Sequence, residues 1–152
     1  MLNKILNIKE NSYSFNLDKE VLKNKIEAIF KQQNLNIVGE FTTENEFSIH
    51  DKWTLISWVM PNLKRKSAYL KGTILSSKKG ISIKTNTHSN TILAVFSFFS
   101  IFLGLIISIL SNQNKQLLIV GMMLILLGVL YYLIGLYFRN RLLKNFEKHL
   151  SL

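Results

Sequence analysis

The stretch TILAVFSFFSIFLGLIISILSNQNKQLLIVGMMLILLGVLYYLIGLYF, residues 91–138, decides which architectures this chain can adopt. It contains two uncharged apolar runs, Ile92–Leu110 and Leu117–Phe138, which are separated by the polar linker Ser111–Gln116. At about 1.5 Å per helical residue, the runs reach about 28 and 33 Å, close to the thickness of a hydrocarbon core of about 30 Å. The sequence therefore predicts a two-helix transmembrane hairpin whose linker is a tight turn.

Charged residues are distributed unevenly along the 152 residues of the chain. Residues 1–90 carry 14 Lys or Arg and 8 Asp or Glu, whereas residues 91–138 carry a single charge, Lys115. Soluble domains usually contain about 25% charged residues, and this chain contains 18%. We therefore expect a cytoplasmic domain over residues 1–90, the hairpin over residues 91–138 (spans 92–110 and 117–138), and a basic tail over residues 139–152.

The basic residues that flank the two runs predict the orientation of the hairpin. Lysines precede the first run and a basic tail follows the second, whereas the linker contains only Lys115. Short cytoplasmic segments next to spans are enriched in Lys and Arg, so both termini are predicted to be cytoplasmic. The N-terminal segment MLNKILNIKE lacks the apolar stretch of a signal peptide. The abundance of Lys, Asn and Ile indicates an AT-rich bacterial genome, so we expect a multi-pass protein of the bacterial inner (plasma) membrane.

Small residues recur at helical spacing in both runs. Such faces let helix backbones approach closely in lipid, because no side chain holds them apart. Two interpretations remain open: the faces pack together within one hairpin, or they form a seam between copies in a homo-oligomer. The predicted helix-packing residues are Ser97, Ser100, Gly104, Ser108, Gly121, Gly128 and Gly135.

Residues 1–90 have the pattern of a small α+β domain. Tyr13, Phe15 and Leu17 alternate with polar residues, as in a half-buried strand, and Asp18 is a candidate N-cap for the helix that follows. Further strand-like segments, among them Trp53–Met60, predict a β-α-β-β-β-β order with an antiparallel meander. We expect Thr85–Asn90 to be a short polar connection to the first span.

The tail is predicted to be a short basic amphipathic helix that continues the second span. Its apolar residues fall on one side and its basic residues largely on the other, which fits a helix lying against the inner leaflet or against the soluble domain. A cluster at residues 64–66 fits either a solvated turn or a contact with anionic headgroups. The predicted membrane-surface residues are Lys64, Arg65, Lys66, Arg139, Arg141, Lys144 and Lys148. Nucleic-acid binding is not expected, because no RNA-binding or helix-turn-helix signature is present.

Little in the sequence indicates chemistry at a reactive site. The chain has no cysteine, and His50, His88 and His149 lack the spacing of metal ligands. The carboxylates between Glu40 and Asp51 fit an exposed hairpin better than an acid–base pair. We therefore expect no catalytic residue, no metal and no cofactor.

Three functional hypotheses follow from these patterns. The first is a non-enzymatic membrane protein whose cytoplasmic domain binds a partner protein, in an accessory, regulatory or toxin-immunity role. Trp53 and Trp58 are candidates for that partner surface. The alternative is a ligand-sensing membrane effector or channel whose hairpins oligomerise and permeabilise the bilayer. A membrane-bound enzyme is the third hypothesis, and it would require a pocket lined by the carboxylates of residues 40–51.

Overall fold

The computed structural model describes residues 8–32, 35–52, 54, 66–77, 80–111 and 114–150. The helices and strands, numbered in chain order, are β1 (Lys9–Phe15), α1 (Lys19–Lys31), β2 (Ile37–Phe41), β3 (Glu46–Asp51), β4 (Ala68–Ser77), β5 (Gly80–Ser89), α2 (Thr91–Leu110) and α3 (Lys115–Leu150). The chain is therefore α+β, with strands followed by two long helices. The described residues of the first part have the predicted β-α-β-β-β-β order.

The five strands form one antiparallel sheet in the order β1-β5-β4-β3-β2. Strands β4 and β5 are the longest, at ten residues each, and they lie at the centre of the sheet. Gly80 opens β5 with φ 122°, a left-handed conformation that glycine adopts without the steric cost of a Cβ. The meander runs from β2 to β5, and β1 pairs with the far edge of β5.

Alternation along the strands buries one face of the sheet in a single hydrophobic core. Helix α1 contributes Leu22, Ile26 and Ile29, each at most 2% exposed. The C-terminal part of α3 packs into the same core, where Phe47 of β3 lies with its ring centroid 5.7 Å from that of Phe146. The sheet core is thus built from both ends of the chain.

Helices α2 and α3 pack as an antiparallel pair, and both are long and apolar enough to cross a membrane. Most of their large apolar side chains point away from the protein. For example, Phe102, Ile109 and Leu110 are 65%, 78% and 71% exposed. Helix α3 then continues without interruption to Leu150, so the predicted tail is the last part of one 36-residue helix.

Three expectations from the sequence differ from the structure. The first strand begins at Lys9, and Leu17 lies beyond its end. Asp18 occupies the N-cap position of α1, but its side chain makes no capping hydrogen bond.

The third difference concerns the expected connection to the first long helix. Residues 85–89 continue β5, because all five pair with β4 and residues 85–87 also pair with β1 on the other side. Only Asn90 separates β5 from α2. The strand predicted over Trp53–Met60 lies outside the described residues, apart from Thr54, which forms an isolated antiparallel bridge with Lys66.

Candidate functional site

Asn90 joins the sheet to the first long helix. Its side-chain oxygen accepts a hydrogen bond from the backbone N–H of Ile92 at 2.9 Å, which caps α2. Its side-chain amide donates to the carbonyl of Lys66, and its backbone N–H donates to the carbonyl of Ser67, both at 2.9 Å. The side chain is 1% exposed. Helix α2 therefore starts from a fixed point at the end of the sheet.

The tail of α3, residues 139–150, joins the second long helix to the same sheet. Four of its apolar side chains are at most 2% exposed: Leu142, Leu143, Phe146 and Leu150. The sequence left two surfaces open for this apolar side, the inner leaflet and the soluble domain. The structure packs it against the sheet.

Two polar contacts hold the tail at its sides. Arg141 forms an ion pair with Asp51 at the end of β3; the Asp51 side chain is 1% exposed and that of Arg141 is 24% exposed. On the other side of the tail, Glu147 accepts hydrogen bonds from the Tyr13 hydroxyl and, at 3.3 Å, from the Asn11 amide. The tail is thus fixed to β3 and to β1 by groups that lie outside its apolar stripe.

The contact with Glu147 changes the acidity of Tyr13. Partial burial and the neighbouring carboxylate both disfavour the phenolate, and they raise the pKa of Tyr13 to about 12. The phenol therefore remains a hydrogen-bond donor to Glu147 throughout the physiological pH range.

The second face of the sheet, which we call the open face, is the candidate functional site. It consists of the outward-pointing residues of the three central strands, and neither α1 nor the tail covers it. These residues are Glu46, Ser48, His50, Tyr69, Lys71, Thr73, Leu75, Ser82, Lys84, Asn86 and His88. The face is mainly polar, with two lysines, one glutamate, one exposed leucine and several hydrogen-bonding groups, so it suits recognition of a polar or charged partner surface.

An aromatic row crosses the open face near the start of α2. His50, Tyr69 and His88 are direct cross-strand neighbours on β3, β4 and β5. The rings of Tyr69 and His88 stack, with centroids 5.5 Å apart, and the centroids of His50 and Tyr69 are 6.5 Å apart. The Tyr69 hydroxyl accepts a hydrogen bond from the backbone N–H of Lys66 at 2.8 Å. All three side chains are half-buried.

The environment of His50 favours its neutral form. Partial burial lowers the pKa of His50, and the nearby Lys66 charge lowers it further, while Glu40 and Asp51 act in the opposite direction. At neutral pH the row therefore presents an uncharged imidazole next to tyrosine. Tyrosine is enriched in protein interfaces.

The predicted small-residue faces meet each other inside the pair of long helices. The Ser97 hydroxyl donates to the carbonyl of Gly128 at 2.7 Å. A Cβ on Gly104 would lie 2.7 Å from the carbonyl oxygen of Gly121, and the Ser108 hydroxyl also lies against Gly121. Gly135 is buried, and Ser100 is half-buried. The close approach of α2 and α3 therefore depends on residues of both faces.

The structure separates the other predicted site residues. Lys66 lies between the sheet and residue 54, and its ammonium group donates to the Lys52 carbonyl at 3.2 Å and to the Thr54 hydroxyl at 3.3 Å. Lys144 and Lys148 are exposed on the tail, and Arg139 is half-buried. The remaining predicted residues lie outside the described part of the chain: Trp53, Trp58, Lys64 and Arg65.

Sequence reasoning missed the aromatic row and both side contacts of the tail. His50 and His88 are 38 residues apart in sequence, and the register of three strands brings them to either side of Tyr69. The alternation of side chains in β4 and β5 indicates which residues of one strand share a face. It does not indicate which strands lie next to each other in the sheet. No group of three or more His, Cys, Asp or Glu that could hold a metal is present among the described residues.

Comparison of the chain with protein-family models, with curated proteins and with solved structures finds no match.

Proposed function

We propose that this chain is a multi-pass membrane protein, in which α2 and the apolar part of α3 cross a bacterial plasma membrane. The support is the exposure of their apolar side chains, which water would disfavour at about 25 cal/mol for each Å². Helices buried in a soluble core would be covered by the rest of the protein. Here the two helices meet along a seam centred on small residues, and most of their large apolar side chains stay exposed.

Both termini are proposed to lie on the cytoplasmic side. The tail follows the second long helix and packs into the sheet that precedes the first, so the two parts belong on the same side of any membrane between them. The exposed Lys71, Lys84 and Lys144 lie at this end of the molecule, and Lys115 is the only charge of the opposite end. This distribution is typical of a cytoplasmic sheet and tail.

We further propose that the sheet is a non-enzymatic binding module that presents its open face to a partner protein. One observation carries this proposal: the face opposite the core holds a half-buried His50-Tyr69-His88 row among polar side chains, and Asn90 and the tail hold that face at a fixed position relative to the long helices. An accessory, regulatory or immunity role would each use such a platform.

The membrane topology can be tested by labelling single cysteines, because the chain contains none of its own. We expect Gln116→Cys, in the exposed start of α3, to react with a membrane-impermeant maleimide added outside intact cells. The matched variant Lys84→Cys, exposed on the open face, should react only after the cells are opened. Equal labelling of both, or recovery of the chain in buffer without detergent, would contradict the proposal.

Partner binding can be tested by site-specific photo-crosslinking in native membranes. A photoreactive amino acid at Lys71 or Asn86, both exposed on the open face, should give a discrete crosslinked product. The same residue at Lys25 or Ala28, exposed on α1 at the opposite side of the sheet, is the control. Products of equal intensity from both sides, or none from the open face, would remove the support for this surface.

The alternative, a ligand-sensing effector or channel, would need a second helix surface for oligomerisation. The Ser97–Gly128 and Gly104–Gly121 contacts use the small-residue faces within one hairpin. A pore built from several hairpins would therefore form through the large apolar side chains. Dye release from vesicles containing the purified protein distinguishes this alternative from a binding module.

A further inference from the structure

The outer side of α3 changes from apolar to polar and basic residues after Tyr137. A groove of about 350 Å³ lies there, lined by Tyr137, Asn140, Arg141, Lys144 and Asn145. These residues are spaced three, four, seven and eight positions from Tyr137, so they form one stripe along the helix. The stripe lies opposite Leu142, Leu143 and Phe146, which pack into the sheet core, and at its edge the Arg141 side chain reaches Asp51.

The chemistry of this groove is that of an anion site. Lys144 brings an exposed ammonium group, Arg141 a guanidinium, and the two asparagines bring amide donors. The side-chain oxygen of Asn140 accepts hydrogen bonds from Arg139 at 3.0 and 3.2 Å, and its amide N–H groups are the donors that it can offer to an anion. The groove lining contains no carboxylate.

The two acidic side chains near the groove are both bonded to other side chains of the protein. Asp51 is buried and pairs with Arg141, and Glu147 bonds to Tyr13 and Asn11 on β1. The Arg141 guanidinium also lies 5.8 Å from the centroid of the Tyr137 ring, and its Nε has no hydrogen-bond partner among the described residues. Asp51 offsets the charge of Arg141, so the exposed ammonium group of Lys144 gives the groove its net positive charge.

The depth of the groove matches a layer of headgroups. Large exposed apolar side chains on α3 end at Tyr137, which is 60% exposed. Asn140 to Lys144 then covers about 6 Å along the helix axis, and a headgroup region is about 5–8 Å deep on each side of the hydrocarbon. Tyrosine is the residue type enriched at the boundary between these layers.

We infer that this groove binds the phosphate of an anionic phospholipid, with the acyl chains lying along the exposed apolar side of α3. The inference rests on the proposed membrane insertion and adds to it a defined lipid site. The phosphodiester accepts hydrogen bonds from Lys144, Arg141 and the asparagine amides, and the phenol of Tyr137 lies at the level of the glycerol.

The test measures how phosphatidylglycerol raises the melting temperature of the full chain purified in a neutral detergent. We expect a saturable rise with phosphatidylglycerol and none with phosphatidylcholine. Lys144→Gln should raise the half-saturating concentration of phosphatidylglycerol about fivefold, because one interfacial charge contributes roughly 1 kcal/mol. Lys148→Gln removes the same charge one turn further from the membrane and should change it less than twofold.

Three results would overturn the inference. They are equal effects of the two lysine variants, an equal response to phosphatidylcholine, and an equal response to free glycerol phosphate without acyl chains. Lys144 is exposed, so the melting temperature of Lys144→Gln without lipid should equal that of the original chain. If the cysteine labelling shows a spanning hairpin and phosphatidylglycerol has no effect, the lipid site alone is wrong. If the chain does not span a membrane, the labelling shows this independently.

Discussion

Helix α3 is packed in two different ways along its length. In its apolar part, residues 115–138, the buried residues are the glycines Gly121, Gly128 and Gly135. In the tail, the buried residues are Leu142, Leu143, Phe146 and Leu150. One continuous helix thus buries only its smallest side chains at one end and only large ones at the other.

The proposed insertion of the apolar part into a membrane accounts for the difference. In water, the burial of large apolar side chains is the main source of stability, so the tail inserts leucine and phenylalanine into the sheet core. In hydrocarbon the same side chains gain little by being buried, and helices associate through close backbone contact and hydrogen bonds. The Ser97–Gly128 hydrogen bond is an example of the second mode.

The largest expected effect is on the packing of the tail into the sheet core. Phe146→Ala removes a fully buried ring from the sheet core and should lower the free energy of unfolding by about 3–5 kcal/mol. Leu126→Ala, on the same helix but 62% exposed in the apolar part, is the matched control and should have little effect in detergent. Thermal unfolding of both variants measures this. Similar losses would mean that the two parts are packed alike.

The next effect concerns the ion pair that holds the tail to β3. Asp51→Asn leaves the Arg141 charge without its partner and should destabilise the chain by about 2–3 kcal/mol. This is less than the 3–5 kcal/mol of a fully buried pair, because Arg141 is partly exposed. Combining it with Arg141→Met should cost less than the sum of the two single changes. Strict additivity in this double-mutant cycle would show that the pair contributes nothing.

Gly128→Leu tests the close approach of the long helices. A Cβ there would lie 2.7 Å from the carbonyl oxygen of Ser97 and 2.6 Å from the Ile101 side chain, so the helices must separate. We expect a loss of about 1–3 kcal/mol, measured as thermal stability in detergent. Val129→Leu, at the adjacent exposed position, should be neutral. If both behave alike, the glycine face is not the seam.

Tyr13→Phe removes one hydrogen bond to the tail and should lower the free energy of unfolding by about 1 kcal/mol. The pKa of Tyr13 is raised to about 12, so its contribution is complete below pH 10 and is lost as the pH rises towards 12. The difference in stability between the original chain and Tyr13→Phe should therefore shrink across that range. A difference independent of pH would exclude the hydroxyl as its source.

The smallest effect is expected at His50, on the open face of the sheet. Its pKa is lowered by burial and by Lys66, so the folded state takes up its proton less readily than the unfolded state. Stability should therefore fall as the pH drops below about 6.5, and His50→Gln should reduce that slope. The same slope in both chains would place His50 in a more solvated environment.

Much of the fold could be predicted from the sequence because its signals are local. The uncharged lengths of residues 92–110 and 117–138 mark the two long helices, and apolar periodicity marks α1 and the stripe of the tail. The extension of β5 to Ser89 was missed, since Thr85, Thr87 and Ser89 look polar in sequence. Their strand conformation depends on pairing with β4, and for Thr85 and Thr87 also with β1.

By itself the sequence determined which segments prefer water and which prefer an apolar environment, because hydropathy is a property of each side chain. Only the tertiary structure decided that the tail completes the sheet core, that Asp51 meets Arg141, and that His50 and His88 lie on either side of Tyr69. Neighbours in the aromatic row are 19 positions apart in sequence, and Asp51 and Arg141 are 90 positions apart. Strand register and helix direction bring such distant residues together, and no local sequence pattern indicates which residues meet.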